Sequence, residues 1–258
     1  MPNTALITGA SSGIGREFAR YHAEQGGDMI ITARRDNELQ ALKTELEGKH
    51  GVTVHTIALD LGAEGGADAL FAKVQELGVP VNILINNAGF GGQGAFLDRD
   101  LAADQAMIDL NVKALVALTH HIGRDMVKNG GGKMLQVSST AAYMPGPLQA
   151  TYFATKAFVS SFSQAIDQEM RAHNVTSTAL EPGYVATGFA DAADLHGTQL
   201  VKQKGSTPDK VARFGYDAMM DGKLRVINEA MLGLMLNWIM PYLPRRMVLK
   251  MLEKMQTK

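Results

Sequence analysis

A tyrosine and a lysine stand four residues apart in the segment Tyr152-Phe153-Ala154-Thr155-Lys156. Residues 150–173 carry apolar side chains at helical spacing, so Tyr152 and Lys156 should lie on one face of a helix. A free phenol has a pKa of about 10, and a neighbouring ammonium group favours the phenolate. We therefore expect a lowered tyrosine pKa and a pair that exchanges a proton with a carbonyl or hydroxyl oxygen. A surface tyrosine beside a surface lysine is the other interpretation of this spacing.

A glycine-rich turn lies close to the start of the chain. Residues 4–8 form a short apolar run typical of a buried parallel strand, and a helical pattern follows Gly15. The turn between them reads Gly9-Ala10-Ser11-Ser12-Gly13-Ile14-Gly15. Glycines permit a tight turn and close approach of a phosphate, to which the helix N-terminus presents N–H groups. The sequence therefore predicts a dinucleotide-binding turn, and a plain turn of small residues is the alternative.

Two arginines follow the second predicted strand, residues 28–33. NAD-selective folds usually place an acidic residue at this strand end to bind the ribose 2′-hydroxyl. Here Ala33 occupies that place and Arg34 and Arg35 follow. A guanidinium binds a 2′-phosphate well, so the arrangement favours NADP(H). Two solvated arginines preceding a helix at Asp36 would be the ordinary alternative.

Polar residues also end the third and fourth predicted strands, residues 52–59 and 81–85. Asp60 could accept a hydrogen bond from an adenine amino group or could cap the next helix. Asn86-Asn87-Ala88-Gly89 lies at a strand end where open α/β sheets bind ligands. Local turn hydrogen bonds are the alternative role of these asparagines.

Two further polar residues belong to the same region of the predicted fold. Asn111 falls near the middle of a predicted helix over residues 101–128, where asparagine is unfavourable unless it is exposed or has a polar task. Ser139 ends a predicted strand over 134–138 and precedes Tyr152 by thirteen residues. The strand end and the following helix can therefore place both hydroxyl groups around one carbonyl.

The C-terminal part of the chain is polar at first and then apolar. After a strand over 175–180, residues 188–206 form a polar loop long enough to be a substrate lid. A helix over 208–221 and a strand over 224–227 follow, and then an apolar extension, 228–258, with basic residues near its end. Core packing is the favoured interpretation of this extension. A substrate wall and a membrane-surface patch are the alternatives.

Composition narrows the remaining possibilities. The 258 residues carry a net charge of −1 with acids and bases interspersed, which does not indicate nucleic-acid binding. The chain has no cysteine, which excludes disulfides and thiol catalysis, and we predict no metal site. The strand–helix alternation favours one domain over 1–258. Without a recognisable signal sequence, a cytoplasmic location is expected.

Taken together, these motifs resemble those of the short-chain dehydrogenase/reductase family. The resemblance covers about residues 4–227. It rests on six motifs in order: Thr8-Gly9-x-x-x-Gly13-x-Gly15, Asn86-Asn87-Ala88-Gly89, Asn111, Ser138-Ser139, Tyr152-x-x-x-Lys156 and Pro182-Gly183-x-x-Thr187. It implies a doubly wound, three-layer α/β Rossmann fold with a seven-stranded parallel sheet. It also implies an NADP(H)-dependent oxidoreductase that interconverts a carbonyl and an alcohol, assembled as a homodimer or homotetramer.

The resemblance assigns roles to particular residues. Tyr152 would be the general acid, Lys156 would lower its pKa and bind the nicotinamide ribose, Ser139 would bind the substrate oxygen, and Asn111 would hold a relay water. The implied cofactor residues are Gly9, Ser11, Ser12, Gly13, Ile14, Gly15, Arg34, Arg35, Asp60, Leu61, Asn87, Ala88, Gly89, Tyr152, Lys156, Pro182, Gly183, Val185 and Thr187. The substrate is expected to be a small apolar molecule in contact with Phe90, Met144 and Tyr184 as well as Ser139 and Tyr152.

The sequence also departs from the family pattern. Ser12 stands where some NADP-dependent members carry a basic residue, so the NADP(H) prediction depends on Arg34 and Arg35. The long apolar tail resembles relatives that act on steroid, retinoid or acyl-chain carbonyls. A 3-ketoacyl-carrier-protein reductase is an alternative that requires a basic patch beside the active site. A non-catalytic NADP(H)-binding regulator is another, although it should have lost Tyr152, Lys156 or Ser139.

Overall fold

The computed structural model describes residues 3–202 and 205–258, and it contains one sheet of seven parallel strands. The spatial order is β3-β2-β1-β4-β5-β6-β7, which confirms the predicted doubly wound α/β fold. The strands are β1 (Thr4–Thr8), β2 (Asp28–Ala33), β3 (Val54–Ala58), β4 (Ile83–Asn86), β5 (Gly132–Val137), β6 (Val175–Leu180) and β7 (Arg225–Val226).

Helices cover both faces of this sheet because its central strands are apolar on both sides. The helices are α1 (Gly13–Glu24), α2 (Asp36–His50), α3 (Gly66–Glu76), α4 (Leu101–Ile108), α5 (Leu115–Lys128), α6 (Ala150–Met170), α7 (Phe189–Ala192), α8 (Gln199–Lys202), α9 (Pro208–Met220), α10 (Ala230–Trp238) and α11 (Arg245–Gln256). Residues of α1, α2 and α9 fill the core on one face, and residues of α3 and α5 fill it on the other.

The chain order leaves a crevice at the carboxyl edge of the sheet. From β1 the chain moves outward through β2 and β3, and it then returns to the opposite side of β1 with β4. The connections after β1 and β4 therefore diverge to opposite sides. Ligands of open α/β sheets bind at such a switch point.

The long helix predicted over 101–128 is not regular. A π-helical segment, Asp109–Ala114, separates α4 from α5. Its wider turn contains Asn111, which is buried, so the alternative that Asn111 is simply exposed is wrong. Single π turns inside α-helices often occur at functional sites.

The predicted lid over 188–206 is also more ordered than a loop. It contains the short helices α7 and α8, and Ser206 pairs in a parallel bridge with Val185. Residues 203 and 204 lie outside the described part of the chain. After β7, the apolar extension folds into α10, the 3₁₀ turn Met240–Tyr242 and α11. Within the described ranges, none of the helices combines the length and apolarity needed to cross a bilayer.

Candidate active site

The glycine turn between β1 and α1 is tied to the end of β4. The Thr8 hydroxyl accepts hydrogen bonds from the backbone N–H groups of Asn87 and Ala88, both at 3.0 Å. The Asn87 side chain donates to the Thr8 carbonyl at 2.9 Å. The side-chain amide of Asn87 therefore helps to position the glycine turn. This is the local hydrogen-bonding role that was the alternative to ligand binding.

Close packing makes two of the glycines necessary. Gly9 has φ +70°, and a Cβ atom there would lie 2.8 Å from the Asn87 amide nitrogen. A Cβ atom at Gly15 would collide with the Gly9 carbonyl. Gly13 also has a positive φ, of +55°, and Ser12 precedes α1 as an exposed N-cap without a side-chain capping bond. The first turn of α1, which includes half-buried Ile14, leaves its amide groups available to a phosphate.

Guanidinium groups lie over this turn. Arg35 donates from Nη2 to the Ser11 hydroxyl at 3.0 Å, while Arg34 is exposed. Arg16 was not singled out by the sequence analysis, yet it donates to the Ser11 carbonyl and pairs with Glu38 at 2.5 Å. Its position in the first turn of α1, directly after Gly15, was the available signal. A phosphate beside Ser11 would thus meet two arginines.

The remaining predicted adenosine-side residues follow β3 and β4. The Asp60 carboxylate accepts from the backbone N–H of Gly62 at 3.0 Å, and Leu61 is buried. Asp60 therefore forms a local turn contact before α3 and does not cap that helix, whose N-cap is Gly65. Asn86 is buried and donates to Thr119 and Gln136, each at 3.0 Å, so it belongs to the interior.

Tyr152 and Ser139 meet at the carboxyl edge of the sheet. Ser139 follows β5 and Tyr152 lies in the first turn of α6. The Ser139 hydroxyl lies near enough to the Tyr152 hydroxyl to affect its pKa, and it donates to the Pro182 carbonyl at 3.4 Å. Neighbouring Ser138 binds α6 through the Lys156 carbonyl at 2.7 Å. The strand end thus holds the helix that carries the tyrosine, and one carbonyl oxygen could contact both hydroxyls.

The expected lowering of the tyrosine pKa is wrong. Burial raises the pKa of Tyr152 to about 12, and the neighbouring Ser139 hydroxyl opposes this only in part. Lys156 Nζ lies 5.8 Å from the centroid of the Tyr152 ring and donates to the Val137 carbonyl at 2.9 Å. Burial also lowers the pKa of Lys156 to about 8. Desolvation therefore outweighs the attraction that the helical spacing predicted.

Asn111 joins the loop after β4 to α6. Its side-chain oxygen accepts from Phe90 N–H at 3.1 Å, and its amide donates to Phe90 C=O at 2.9 Å and to the Thr155 hydroxyl at 3.2 Å. A Cβ atom at Gly89, which is exposed, would lie 2.9 Å from the Asn111 side-chain oxygen and 3.6 Å from Lys156 Nζ. The π turn therefore places an amide beside the lysine.

The buried carboxylate of Glu181 forms hydrogen bonds with residues near this site. Glu181 directly follows β6, and its two carboxylate oxygens accept from the Tyr143 hydroxyl, at 2.5 Å, and from the Ser160 hydroxyl. Burial raises the pKa of Glu181, and these two hydrogen bonds counteract the rise. The sequence analysis missed this contact. In the sequence, the available signal was the carboxylate that stands directly before Pro182, at the end of a predicted strand.

The remaining predicted residues differ in their burial and in their neighbours. Val185 is buried, Thr187 contacts Gly13, and half-buried Gly183 lies against Leu232 of α10. Among the predicted substrate residues, Phe90, Met144 and Tyr184 are half-buried.

The sequence analysis missed Phe189, which begins α7. Its ring centroid lies 5.3 Å from that of Tyr152, and both rings border Gly91, where a Cβ atom would lie 2.8 Å from Phe189 and 3.2 Å from Tyr152. The only sequence signal for Phe189 was its position in the predicted substrate lid. The lid thus contributes an aromatic wall next to Tyr152.

Comparisons with known proteins agree with this fold. Residues 3–196 match the short chain dehydrogenase family model. The chain is 36% identical over 191 residues to sulfoacetaldehyde reductase 2 of Chromohalobacter salexigens, covering 73% of this chain and 75% of the relative. It is 28% identical over 211 residues to the 3-oxoacyl-acyl-carrier-protein reductase of Aquifex aeolicus, covering 82% and 84%.

A solved structure of similar shape contains a cofactor. It is the short-chain dehydrogenase from Sphingobium yanoikuyae in complex with NADPH, with a TM-score of 0.84 and 28% identity, over 91% of this chain and 90% of that one. An open parallel sheet with a glycine turn at its carboxyl edge is typical of dinucleotide-binding proteins. The chain belongs to the short-chain dehydrogenases, a family that acts on carbonyl and alcohol groups.

Proposed function

We propose that this protein is an NADP(H)-dependent oxidoreductase that reduces an apolar ketone or aldehyde, or catalyses the reverse reaction, with Tyr152 as general acid and base. One observation carries the proposal. Ser139 and Tyr152 come together at the carboxyl edge of the sheet, and the Ser139 hydroxyl lies near enough to the Tyr152 hydroxyl to affect its pKa. Two adjacent hydroxyl groups can bind one carbonyl oxygen and stabilise the charge that develops on it.

The raised pKa of Tyr152, about 12, keeps the phenol protonated at neutral pH. This suits the direction of reduction, in which the tyrosine must start with its proton. NADPH, when bound, supplies the hydride that reduces the carbonyl carbon. Tyr152 gives its proton to the carbonyl oxygen and recovers one from solvent. Asn111 and Lys156, which face each other across Gly89, are placed to guide that proton.

The cofactor fits the residues present. The turn from Gly9 to Gly15 has no room for side chains at two positions, and its helix N-terminus suits a pyrophosphate. Asp60, Leu61 and the segment from Asn87 to Gly89 would hold the adenosine half. Pro182, Gly183, Val185 and Thr187, together with Tyr152 and Lys156, would hold the nicotinamide half.

The preference for NADP(H) is supported by the charges over the glycine turn. Arg35 contacts Ser11, and Arg16 contacts the same residue through its carbonyl. Arg34 is exposed next to them. A carboxylate that would repel a 2′-phosphate is absent from the end of β2. The Sphingobium yanoikuyae relative, of similar fold, binds NADPH.

The walls around Tyr152 favour an apolar substrate. Phe189 and Tyr184 belong to a small apolar cluster under the lid, and Met144 packs against the C-terminal helices. These side chains bury apolar surface but offer few hydrogen-bonding groups. Phe90 borders the same mouth, where Asn111 holds its backbone.

Replacement of Tyr152 by phenylalanine tests the proposal. With NADPH oxidation followed by absorbance over a panel of aldehydes, ketones and 3-ketoacyl thioesters, the variant should lose at least about a hundredfold in kcat because no acid remains. NADPH binding, measured by fluorescence titration, should persist. Tyr242→Phe, at an exposed tyrosine, is the control and should keep its activity. Tight NADPH binding by the wild-type protein without turnover of any substrate would refute the enzymatic role.

A second candidate is reduction of a 3-ketoacyl group carried on a phosphate-bearing thioester. This function needs a basic surface near the active site. A groove of about 540 Å³ between α8 and α11 is lined by four lysines and one carboxylate: Lys202, Lys250, Lys254, Lys258 and Glu253. Lys258 pairs with Asp194, just after α7, at 2.6 Å.

Comparison of two thioesters with the same acyl group separates the two candidates. A 3-ketoacyl-CoA carries phosphates, whereas the corresponding N-acetylcysteamine thioester does not. A lower KM for the CoA ester that is lost in Lys250→Ala/Lys254→Ala would favour the carrier-linked function. Equal KM values for the two esters would favour a free carbonyl substrate.

A further inference from the structure

The C-terminal segment presents an unusually apolar surface. Among the described residues, eight of the seventeen exposed large apolar side chains fall between positions 231 and 251. They are Met231, Leu234, Met235, Trp238, Ile239, Tyr242, Met247 and Met251. We call this surface the tail face. Contiguous exposed apolar patches of this kind mark interaction sites in soluble proteins.

The tail face is held rigidly against the body of the protein. Leu236, Met240, Val248 and Leu252 are buried beneath it. This buried cluster packs against Tyr143 and Met144, which follow Ser139. The core-packing interpretation of the tail is therefore correct for one side of the helices only. The other side faces solvent, so its exposure is a property of the folded chain.

Two side chains of the tail face are amphipathic aromatic groups. Trp238 is 68% exposed and Tyr242 is 80% exposed, one near the end of α10 and the other in the turn that follows. Tryptophan and tyrosine have an apolar ring and a polar group, which suits the boundary between lipid and water. In a peptide-binding pocket, these two aromatic side chains would be more buried than they are here.

The charges next to the tail face point to an anionic partner. Residues 230–244 contain no charged side chain, and Arg245 and Arg246 follow directly. Both arginines are exposed and neither forms an ion pair with any described residue. Residues 230–258 carry +4, whereas the chain as a whole carries −1, so the remaining residues carry −5. The positive charge is thus concentrated beside the apolar surface.

We propose that the tail face docks on the surface of a bilayer that contains anionic lipids. Its aromatic and methionine side chains would enter the region between headgroups and acyl chains, while Arg245 and Arg246 contact lipid phosphates. The protein would lie on the bilayer without crossing it. A symmetric contact with a second copy is less favourable because it brings together two surfaces of the same positive charge.

This docking would bring the crevice close to apolar molecules dissolved in the bilayer. Leu232 of α10 contacts the backbone position of Gly183, and the buried tail cluster reaches Met144. The docking itself does not depend on turnover. Its test therefore succeeds or fails separately from the proposed oxidoreductase function.

Co-sedimentation of the full chain with vesicles tests the proposal. Phosphatidylcholine vesicles with and without phosphatidylglycerol serve as probes at low ionic strength. The wild-type protein should bind the anionic vesicles and should be released by salt. Arg245→Gln/Arg246→Gln should weaken binding about thirtyfold, because each basic residue near such a surface contributes about a factor of five.

Two matched double substitutions distinguish specific binding through the tail face from nonspecific hydrophobic binding to vesicles. Trp238→Ser/Tyr242→Ser should weaken vesicle binding at least about tenfold. Phe96→Ser/Leu97→Ser removes two apolar side chains of similar exposure, 64% and 91%, and should leave binding unchanged. NADPH titration and near-ultraviolet circular dichroism verify that all variants are folded.

Three outcomes would overturn the proposal. The first is failure of the wild-type protein to bind anionic vesicles. The second is equal loss of binding in the tail pair and in the Phe96/Leu97 pair. The third is a dimer that dissociates in Trp238→Ser/Tyr242→Ser without any vesicle binding, which would assign the tail face to self-association.

Discussion

Replacing Lys156 with methionine should stabilise the cofactor-free protein at neutral pH, although it removes a group proposed for catalysis. Lys156 is only 7% exposed, and burial lowers its pKa from an ordinary value of 10.5 to about 8. A lowered lysine pKa means that the folded state disfavours the charged amine. The charge therefore reduces stability at any pH where the amine is protonated in both the folded and the unfolded chain.

The size of this effect follows from the two pKa values. Their difference corresponds to about 3 kcal/mol of destabilisation at neutral pH. The substitution also removes the 2.9 Å hydrogen bond from the Lys156 ammonium group to the Val137 carbonyl, which is worth about 1.5 kcal/mol. Methionine keeps most of the packing of the lysine stem. A net gain of about 1.5 kcal/mol in the free energy of unfolding raises the Tm by about 3–6 °C for a domain of this size.

The pH dependence distinguishes this explanation from a simple packing effect. Below pH 8 the amine is protonated in both states, so the penalty is complete. Between pH 8 and 10.5 the unfolded chain still binds a proton that the folded chain releases, so wild-type stability rises relative to the variant. The advantage of Lys156→Met should therefore be largest at pH 7 and should shrink towards pH 10.5.

Thermal unfolding followed by circular dichroism at several pH values measures this difference. Lys49→Met, at an exposed lysine of α2, removes the same charge without burial and should change the Tm by less than about 2 °C. A variant that is less stable than wild type at pH 7 would refute the reasoning. So would an advantage that does not vary with pH.

Three further predictions concern positioning and specificity. Arg35→Ala should raise the KM for NADPH at least about tenfold, because a charge-assisted contact is lost, and the KM for NADH should change less than about twofold. Asn111→Ala should lower kcat at least about tenfold, because Phe90 and Thr155 lose their hydrogen bonds beside the proposed acid–base pair. An unchanged kcat would contradict the proposed role of Asn111 in proton transfer. Glu181→Gln should lower the Tm by about 5 °C through loss of about 2 kcal/mol, and an unchanged Tm would show that the carboxylate does not hold β6 against α6.

Much of the fold could be predicted because its signals are local. The apolar run from Thr4 to Thr8 and the glycine turn after it specify a strand, a turn and a helix through short-range sterics. The helix predicted over 208–221 likewise begins at Pro208, a residue type that favours the first position of a helix. The seven-stranded parallel sheet followed from the repetition of such units.

The positions of individual side chains required the tertiary structure. Arg16 and Glu38 are 22 residues apart, and the hydroxyl groups that bind Glu181 come from two separate elements. No periodic pattern connects such residues. The same holds for Phe189, which reaches Tyr152 only because the lid folds back over the carboxyl edge.

The sequence alone determined which chemical groups are present, the order of the elements and the edge at which they meet, since parallel strands end on one side. Only the tertiary structure decided the electrostatic state of those groups. Helical spacing placed Lys156 near Tyr152 and predicted a lowered tyrosine pKa, yet burial raises it to about 12. The tail, too, was apolar by composition, but its exposure depends on which side packs against Tyr143 and Met144. Desolvation and exposure depend on all surrounding elements at once, and local sequence does not contain that information.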